Sequence, residues 1–299
     1  MSMLINLNGK IVPKSEAKVS IFDHGFLYGD SIYETVRTYD GRPFLLDLHL
    51  ARLQESAQGI NLELPISPEQ LKQELIKTLE AARYPESYIR IIVTRGEGDI
   101  GYDPKLCSSP SFIILVTQLM PPPPVIYEKG VTIALVSVRR NLASAINPAV
   151  KSGNLLNQTL AWMEGARHEA YEALMLNHKG ELAECTMSNI FVVKNRTLST
   201  PALDCGILLG ITRKLVLEIA QLNGLEVKES SLSPEDLWQA DEAFLTVTSR
   251  EIIPVVRCDH QVIGSGVPGP ITKFLHAKYR QKVKELTKSS LHPIAEMRN

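Results

Sequence analysis

Asn147-Pro148-Ala149-Val150-Lys151-Ser152-Gly153-Asn154-Leu155-Leu156 carries a single lysine where a loop turns into a helix, near the middle of the chain. Before it runs the β-rich Val131 to Val138. After it, Leu156, Thr159, Leu160 and Met163 recur at spacings of three and four, which predicts a helix with one apolar face. Pro148 stiffens the approach, and Gly153 permits a close approach of the backbone. Most lysines are solvated charges, so Lys151 gains meaning only from residues elsewhere that could share a site with it.

The totals bound those possibilities. A chain of 299 residues forms two domains or one large one. Its 44% hydrophobic and 22% charged residues, with a net charge of −1, describe a globular protein. No basic excess points to nucleic acid or an anionic membrane, and no apolar run is long enough to span a bilayer. Met1-Ser2-Met3-Leu4-Ile5-Asn6 lacks the basic and apolar regions of a signal peptide. Cys107, Cys185, Cys205 and Cys258 are scattered, with no Cys-x-x-Cys pair and no zinc-ligand spacing to histidine. Reduced thiols, a cytoplasmic location and no metal are the expectations.

Taken in order, Leu4 to Leu7 and Lys10 to Val12 flank Asn8-Gly9, a hairpin signal. A second hairpin is expected over Ser31 to Leu46, turning at Asp40-Gly41. A helix follows from Asp47 to Gly59, with Leu48, Ala51, Leu53 and Ala57 assigned to a core. Ser67-Pro68-Glu69-Gln70 opens another helix with a capping box. Strands are expected over Tyr88 to Thr94 and Phe112 to Thr117. The first 120 residues read as an α+β domain. Pro121 to Pro124 reads as a stiff linker, and a second domain spans 125–288. It holds strands at Glu172 to Leu176, Ile190 to Lys194, Ala243 to Thr248 and Ile253 to Arg257. Its helices run from Thr212 to Asn223, stopped by Gly224, and from Pro270 to Lys288. Residues 289–299 read as a tail.

Gly96-Glu97-Gly98-Asp99-Ile100-Gly101 has the spacing of a dinucleotide-binding turn. That motif needs a helix to open at once and face the pyrophosphate. Instead Tyr102 to Pro110 brings two prolines and two serines, and no βαβ repeat surrounds it. The run is expected to be a loop, and nicotinamide chemistry is a distant alternative.

Four separated features suit one ligand, a phosphorylated aromatic aldehyde held by Lys151. Gly210-Ile211-Thr212 opens a helix whose free N–H groups can hold a phosphate. Thr246-Val247-Thr248-Ser249 ends a strand with hydroxyls that could reach the same phosphate. Arg52 could pair with it through its guanidinium. Glu184 beside a pyridine nitrogen would keep that nitrogen protonated. Each has a plainer explanation: a threonine cap, a strand end, a solvated helix arginine, a surface glutamate after a hairpin.

Together these residues resemble a known family. Lys151-Ser152-Gly153-Asn154, Glu184 to Asn189, Gly210-Ile211-Thr212-Arg213 and Thr248-Ser249 are similar to the motifs of class IV (fold type IV) pyridoxal-phosphate aminotransferases. Tyr28 to Glu34 and His49-Leu50-Ala51-Arg52-Leu53 agree, and the resemblance covers Leu4 to Lys288. It implies a two-domain α+β and α/β fold with pyridoxal 5′-phosphate between the domains, and a homodimer acting on small amino acids and 2-oxo acids. Lys151 would form the imine with the cofactor and then shuttle a proton, the two roles open to a lysine amine. Glu184 would pair with the pyridine nitrogen, and Arg52, Ile211, Thr212 and Thr248 would hold the phosphate. Some members carry a tyrosine beside the cofactor's phenolic oxygen where this chain has Leu155, as does the D-amino-acid branch.

Within the family, Tyr88-Ile89-Arg90 and Gly269 to Lys273 resemble the branched-chain amino-acid aminotransferases. Tyr88 and Arg90, two apart on a strand, share a face, and Arg90 could pair with a substrate side-chain carboxylate. Tyr28, Tyr33 and Ser249 are further substrate-site candidates. The expectation is amino transfer from a branched-chain L-amino acid to 2-oxoglutarate. Leu155 and Arg95-Gly96 instead resemble the D-amino-acid branch, in which Arg95 would serve the carboxylate. An (R)-amine transaminase, an aminodeoxychorismate lyase and a pyridoxal-phosphate-binding module without turnover are also open to such a chain.

Overall fold

In the computed structural model, which describes residues 3–289, the chain builds two β-sheets in sequence. The first contains β1 (Leu4–Leu7), β2 (Lys10–Pro13), β3 (Ser31–Tyr39), β4 (Arg42–Pro43), β5 (Ser87–Thr94) and β6 (Ser111–Gln118). Its order is β2-β1-β6-β5-β3-β4, antiparallel throughout. Both expected hairpins form. Asn8, Gly9, Asp40 and Gly41 all have positive φ, the conformation a two-residue hairpin turn requires. The short helix α1 (His24–Leu27) precedes β3, and α2 (Leu46–Gly59) and α3 (Pro68–Ala82) cover one sheet face. Ser67 and Gln70 form the expected capping box.

The side of α2 that faces the sheet differs from expectation. Leu46, His49, Leu50, Leu53, Ser56 and Ala57 are buried, whereas Leu48 and Ala51 are exposed. Leu45 adopts a left-handed conformation and starts the helix at Leu46, which sets the buried stripe at Leu46, Leu50, Leu53 and Ala57.

After the proline run come α4 (Pro124–Lys129), β7 (Val131–Leu135), α5 (Leu156–Arg167), β8 (Glu172–Leu176), β9 (Leu182–Cys185), β10 (Asn189–Lys194), β11 (Thr197–Pro201), α6 (Ile211–Leu222), β12 (Glu226–Ser230), α7 (Pro234–Trp238), β13 (Glu242–Val247), β14 (Glu251–Cys258), β15 (Gln261–Val262) and α8 (Pro270–Ser289). The strands make a nine-stranded mixed sheet in the order β12-β11-β10-β13-β14-β7-β8-β9, with β15 on β14. One core, including Leu237, Leu245 and Ile253, lies on one of its faces. The other face packs Phe191 and Phe244 against α6 and α8. The tail expected from residue 289 lies outside the described residues, save Ser289.

Helix α5 forms where expected, but its apolar stripe faces outward: Leu156, Leu160 and Met163 are exposed. The inward side carries Ala161 and Gly165. A Cβ on Gly165 would stand 2.8 Å from that of Ala173 on β8, so only a side chain as small as hydrogen admits this close packing.

Candidate active site

The lysine segment docks on the edge of the first sheet. Tyr33 donates its N–H to the Lys151 carbonyl at 3.0 Å, Gly153 donates to the Ser31 carbonyl at 2.6 Å, and Lys151 donates to Ser56 Oγ at 3.1 Å. A Cβ on Gly153 would run into Ser31, so this is the position where glycine permits the docking. The Lys151 Nζ lies 4.5 Å from the centroid of the Tyr33 ring.

Lys151 thereby opens into a cavity of about 490 Å³. The lining includes Tyr33, Arg52, Tyr88, Arg90, Glu184, Ile211, Thr212, Thr248 and Ser249. Ten of the twelve residues singled out from the sequence therefore meet at one place. Alternation explains part of this. In β3 and β5, Tyr33, Tyr88 and Arg90 point into the cavity while Ile32, Val36, Ile89 and Ile91 point into the core under α2.

Tyr28 and Arg95 stand apart from the cavity. The Tyr28 hydroxyl accepts the Gly101 N–H at 3.0 Å, and its ring packs on His24 and Tyr102. Arg95 gives Nε and Nη2 to Asp30, at 2.6 and 3.0 Å, and further N–H bonds to the carbonyls of Ile60 and Asn61. Four of its five N–H groups are thus given to the chain itself. The Gly96 to Gly101 run is a loop, as expected, with Gly96 and Asp99 carbonyls bonded to His24.

Arg52 is held from behind. Its Nε and Nη2 donate to Glu34 at 2.6 and 2.8 Å, and Nη1 donates to the Leu209 carbonyl at 2.9 Å. Two of the five guanidinium N–H groups stay free for an anion. Glu34 is fully buried and also accepts from His49 Nδ1 at 2.7 Å. Burial works to raise the Glu34 carboxyl, but Arg52 and His49 outweigh it and hold it at about 2. Burial also pushes the His49 imidazole below its ordinary value, so neutral His49 donates its Nδ1–H to the carboxylate.

Next to Arg52 the helix α6 begins. Gly210 is its N-cap and offers no side-chain cap, which leaves the first N–H groups for a ligand. A Cβ at Gly210 would run into Asn189. Glu184, on β9, accepts from Arg140 Nε at 2.8 Å, Leu208 N at 2.8 Å and Asn189 Nδ2 at 3.3 Å. Glu172 accepts the Met187 N–H and the Ser188 hydroxyl and so pins the loop after Glu184. Its carboxyl is raised by burial.

Several of these groups escaped the sequence analysis: Glu34, Arg140, Glu172 and Asn189. Glu34 and Asn189 lay inside stretches already quoted, without a role of their own. Nothing in the local pattern marked Arg140 or Glu172.

Residues 31–258 match the family model for class IV amino-transferases. The protein belongs to the class IV aminotransferases. A putative branched-chain-amino-acid aminotransferase of Methanocaldococcus jannaschii is 43% identical over 278 residues, 93% of this chain and 96% of that one. An aminodeoxychorismate lyase of Bacillus subtilis is 33% identical, over 95% and 96% of the two chains. A branched-chain amino acid aminotransferase of T.th., solved with pyridoxamine 5′-phosphate, superposes with a TM-score of 0.90 at 31% identity and 95% coverage of both chains. The fold is thus fold type IV, as the resemblance implied, and the family's cofactor is pyridoxal 5′-phosphate. The cavity of this aminotransferase fits that group. It combines the Lys151 amine, Arg52 with free N–H groups, the uncapped start of α6 and the Glu184 carboxylate. The hydroxyls of Thr186 and Thr246 line it, buried and without a hydrogen-bond partner among the described residues, as expected of a site built around a polar ligand.

Proposed function

We propose that this aminotransferase moves the amino group of a branched-chain L-amino acid to 2-oxoglutarate. The observation that carries the proposal is Arg90. Its guanidinium lies 4.1 Å from the Tyr33 centroid, on the ring that Lys151 also approaches. Among the described residues it has no carboxylate partner, and its Nε is buried without a hydrogen bond. A half-buried cation with an unsatisfied buried N–H calls for an anionic ligand, and the γ-carboxylate of a five-carbon 2-oxo acid supplies one. Tyr33, Tyr88, Ile146, Leu155 and Met187 offer the apolar surroundings a branched aliphatic side chain needs.

Lys151 would hold the cofactor aldehyde through its amine and, once free, would take and return the proton at the substrate Cα. Arg52, the N–H groups of Ile211 and Thr212, and the Thr248 hydroxyl would hold the phosphate. Glu184 would pair with the ring nitrogen, and Ser249 and Tyr33, which line the same cavity, would flank the substrate. When bound, the cofactor supplies the electron sink for the bond broken at Cα.

Leu155 favours a second reading, the D-amino-acid branch. The occupied Arg95 speaks against it. The test is a half-reaction panel of L-leucine, D-alanine and (R)-phenylethylamine, read from the cofactor's absorbance. Conversion by L-leucine supports the proposal. Conversion by D-alanine or the amine without L-leucine overturns it, as does pyruvate release from aminodeoxychorismate.

A homodimer is part of the proposal, supported by the exposed apolar residues Leu156, Leu160 and Met163 of α5 and Phe22 and Phe26 near α1. So is a two-domain division at Pro121 to Pro124, supported by the sheets lying on either side of that run. No helix of the described residues is long and apolar enough to cross a membrane. The four cysteines are unpaired, which supports a cytoplasmic location.

A further inference from the structure

Arg140 lines the cavity but has no role in the proposal above. It follows β7, where the chain still runs beside β8: Arg140 donates its backbone N–H to the Leu176 carbonyl at 2.9 Å. Its side chain is buried and reaches two partners. Nε donates to Glu184 Oε1 at 2.8 Å, and Nη1 donates to Asn157 Oδ1 at 3.3 Å. Asn157, in the first turn of α5, is fixed in turn by its Nδ2 bond to the Arg139 carbonyl at 2.8 Å. The guanidinium therefore ties β9, which carries Glu184, to the helix that follows Lys151.

At the other oxygen, Glu184 Oε2 accepts from Leu208 N and Asn189 Nδ2. Both carboxylate oxygens thus accept N–H groups that cannot be given up: a backbone amide, an amide side chain and a guanidinium that does not deprotonate in proteins. Three donors leave lone pairs over, since a carboxylate has about four acceptor sites. The carboxylate is fixed in orientation and held as an acceptor at both atoms.

We propose that Arg140 is the positioning residue for Glu184, holding it as an oriented carboxylate so that it accepts the ring N–H of the bound cofactor. The inference rests on the placement of Glu184 at that nitrogen proposed above. A lysine cannot replace Arg140 fully, because a point charge lacks the planar fork that meets Glu184 and Asn157 together.

The experiment uses the holoenzyme reconstituted with pyridoxal phosphate labelled with nitrogen-15 in the ring, comparing wild type with Arg140→Met, Arg140→Lys and Glu184→Gln. The readouts are the ring-nitrogen chemical shift and the cofactor dissociation constant. The expected result is a shift toward unprotonated pyridine in Glu184→Gln and Arg140→Met, with Arg140→Lys between them and the wild type. Cofactor affinity should fall roughly 10- to 100-fold in Arg140→Met, the worth of one charged hydrogen bond. A shift that moves in Glu184→Gln but not in either Arg140 variant overturns the role of Arg140 alone. A shift that moves in none of the three overturns the placement of Glu184 and the inference with it. If Arg140→Met does not fold, Arg140→Lys decides: a wild-type shift there refutes the inference.

Discussion

Arg52 grips Glu34 through two hydrogen bonds, of 2.6 and 2.8 Å, and the carboxylate sits fully buried behind it. Removing one partner of a buried pair strands the other's charge. Glu34→Gln is expected to cost roughly 3–5 kcal/mol of stability and to weaken cofactor binding, because Arg52 loses the support that aims it at the cavity. Urea unfolding of the cofactor-free protein and a cofactor titration measure the two effects. A stability loss below about 1 kcal/mol, the scale of a surface pair, would show that the pair is not structural.

The same carboxylate makes the fold acid-sensitive. Glu34 is held at about 2 against an ordinary 4.5. Glu251 is a second case. Burial would raise it, but His276, Arg280 and Tyr39 outweigh burial and hold it at about 2. A carboxyl lowered by folding contributes stability above its unfolded pKa and loses it as pH falls through the folded one. Each contributes roughly 3 kcal/mol at neutral pH. With respect to these two groups, unfolding free energy should be level between pH 7 and about 5 and fall steeply toward pH 2. In Glu34→Gln that fall should be shallower. A wild-type curve flat down to about pH 3 would exclude this linkage.

Much of this arrangement was legible in the sequence, and the omissions have physical causes. The long strands, the capped α3 and the glycine-stopped α6 announce themselves through local pattern. Strand β9 does not: Leu182, Ala183, Glu184 and Cys185 are all buried, so no alternation marks them. β11 and β12 are short, rich in Thr, Ser, Glu and Lys, and pair with each other in parallel. The direction of the α5 stripe could not be read, since periodicity shows that an apolar face exists and not what covers it. At the site, the residues that line the cavity were recognisable by motif. Their supports were not. Arg140 reads as half of a solvated Arg139-Arg140 pair, and its partner Glu184 lies 44 residues away. Glu34 reads as the polar position of an alternating strand.

On the proposed function, Arg90 should separate recognition of the two substrates. Arg90→Leu keeps an apolar surface against Tyr33 but removes the cation. The half-reaction with L-leucine should change little, while kcat/KM for 2-oxoglutarate should fall roughly 100-fold, the scale of a lost charged hydrogen bond in a buried site. Stopped-flow half-reactions with each substrate measure this. An equal loss for both would assign Arg90 to holding the cavity together.

Lys151→Ala removes the proposed nucleophile and proton carrier. Turnover should fall at least about 1,000-fold, within the range of a lost acid–base group compounded by the lost covalent step. Borohydride treatment should label the wild-type peptide holding Lys151 and leave the variant unlabelled. Labelling of another lysine in the wild type would move the site elsewhere.

Arg95 provides the contrasting case of an arginine with a substrate-like motif and a structural position. It meets the Ile60 and Asn61 carbonyls at the end of α2, where a cation suits the unsatisfied groups and the dipole of a helix C-terminus. Asp30 balances its charge from the turn before β3. Arg95→Ala should therefore lower stability by roughly 2–4 kcal/mol, through stranded carbonyls and a broken ion pair. KM for 2-oxo acids should stay within about twofold, because no contact with substrate is lost. Thermal unfolding and steady-state kinetics on one preparation give both numbers. A KM raised about 100-fold with stability intact would mean that Arg95 leaves Asp30 to meet a substrate carboxylate, and the D-amino-acid assignment would then stand over the branched-chain one.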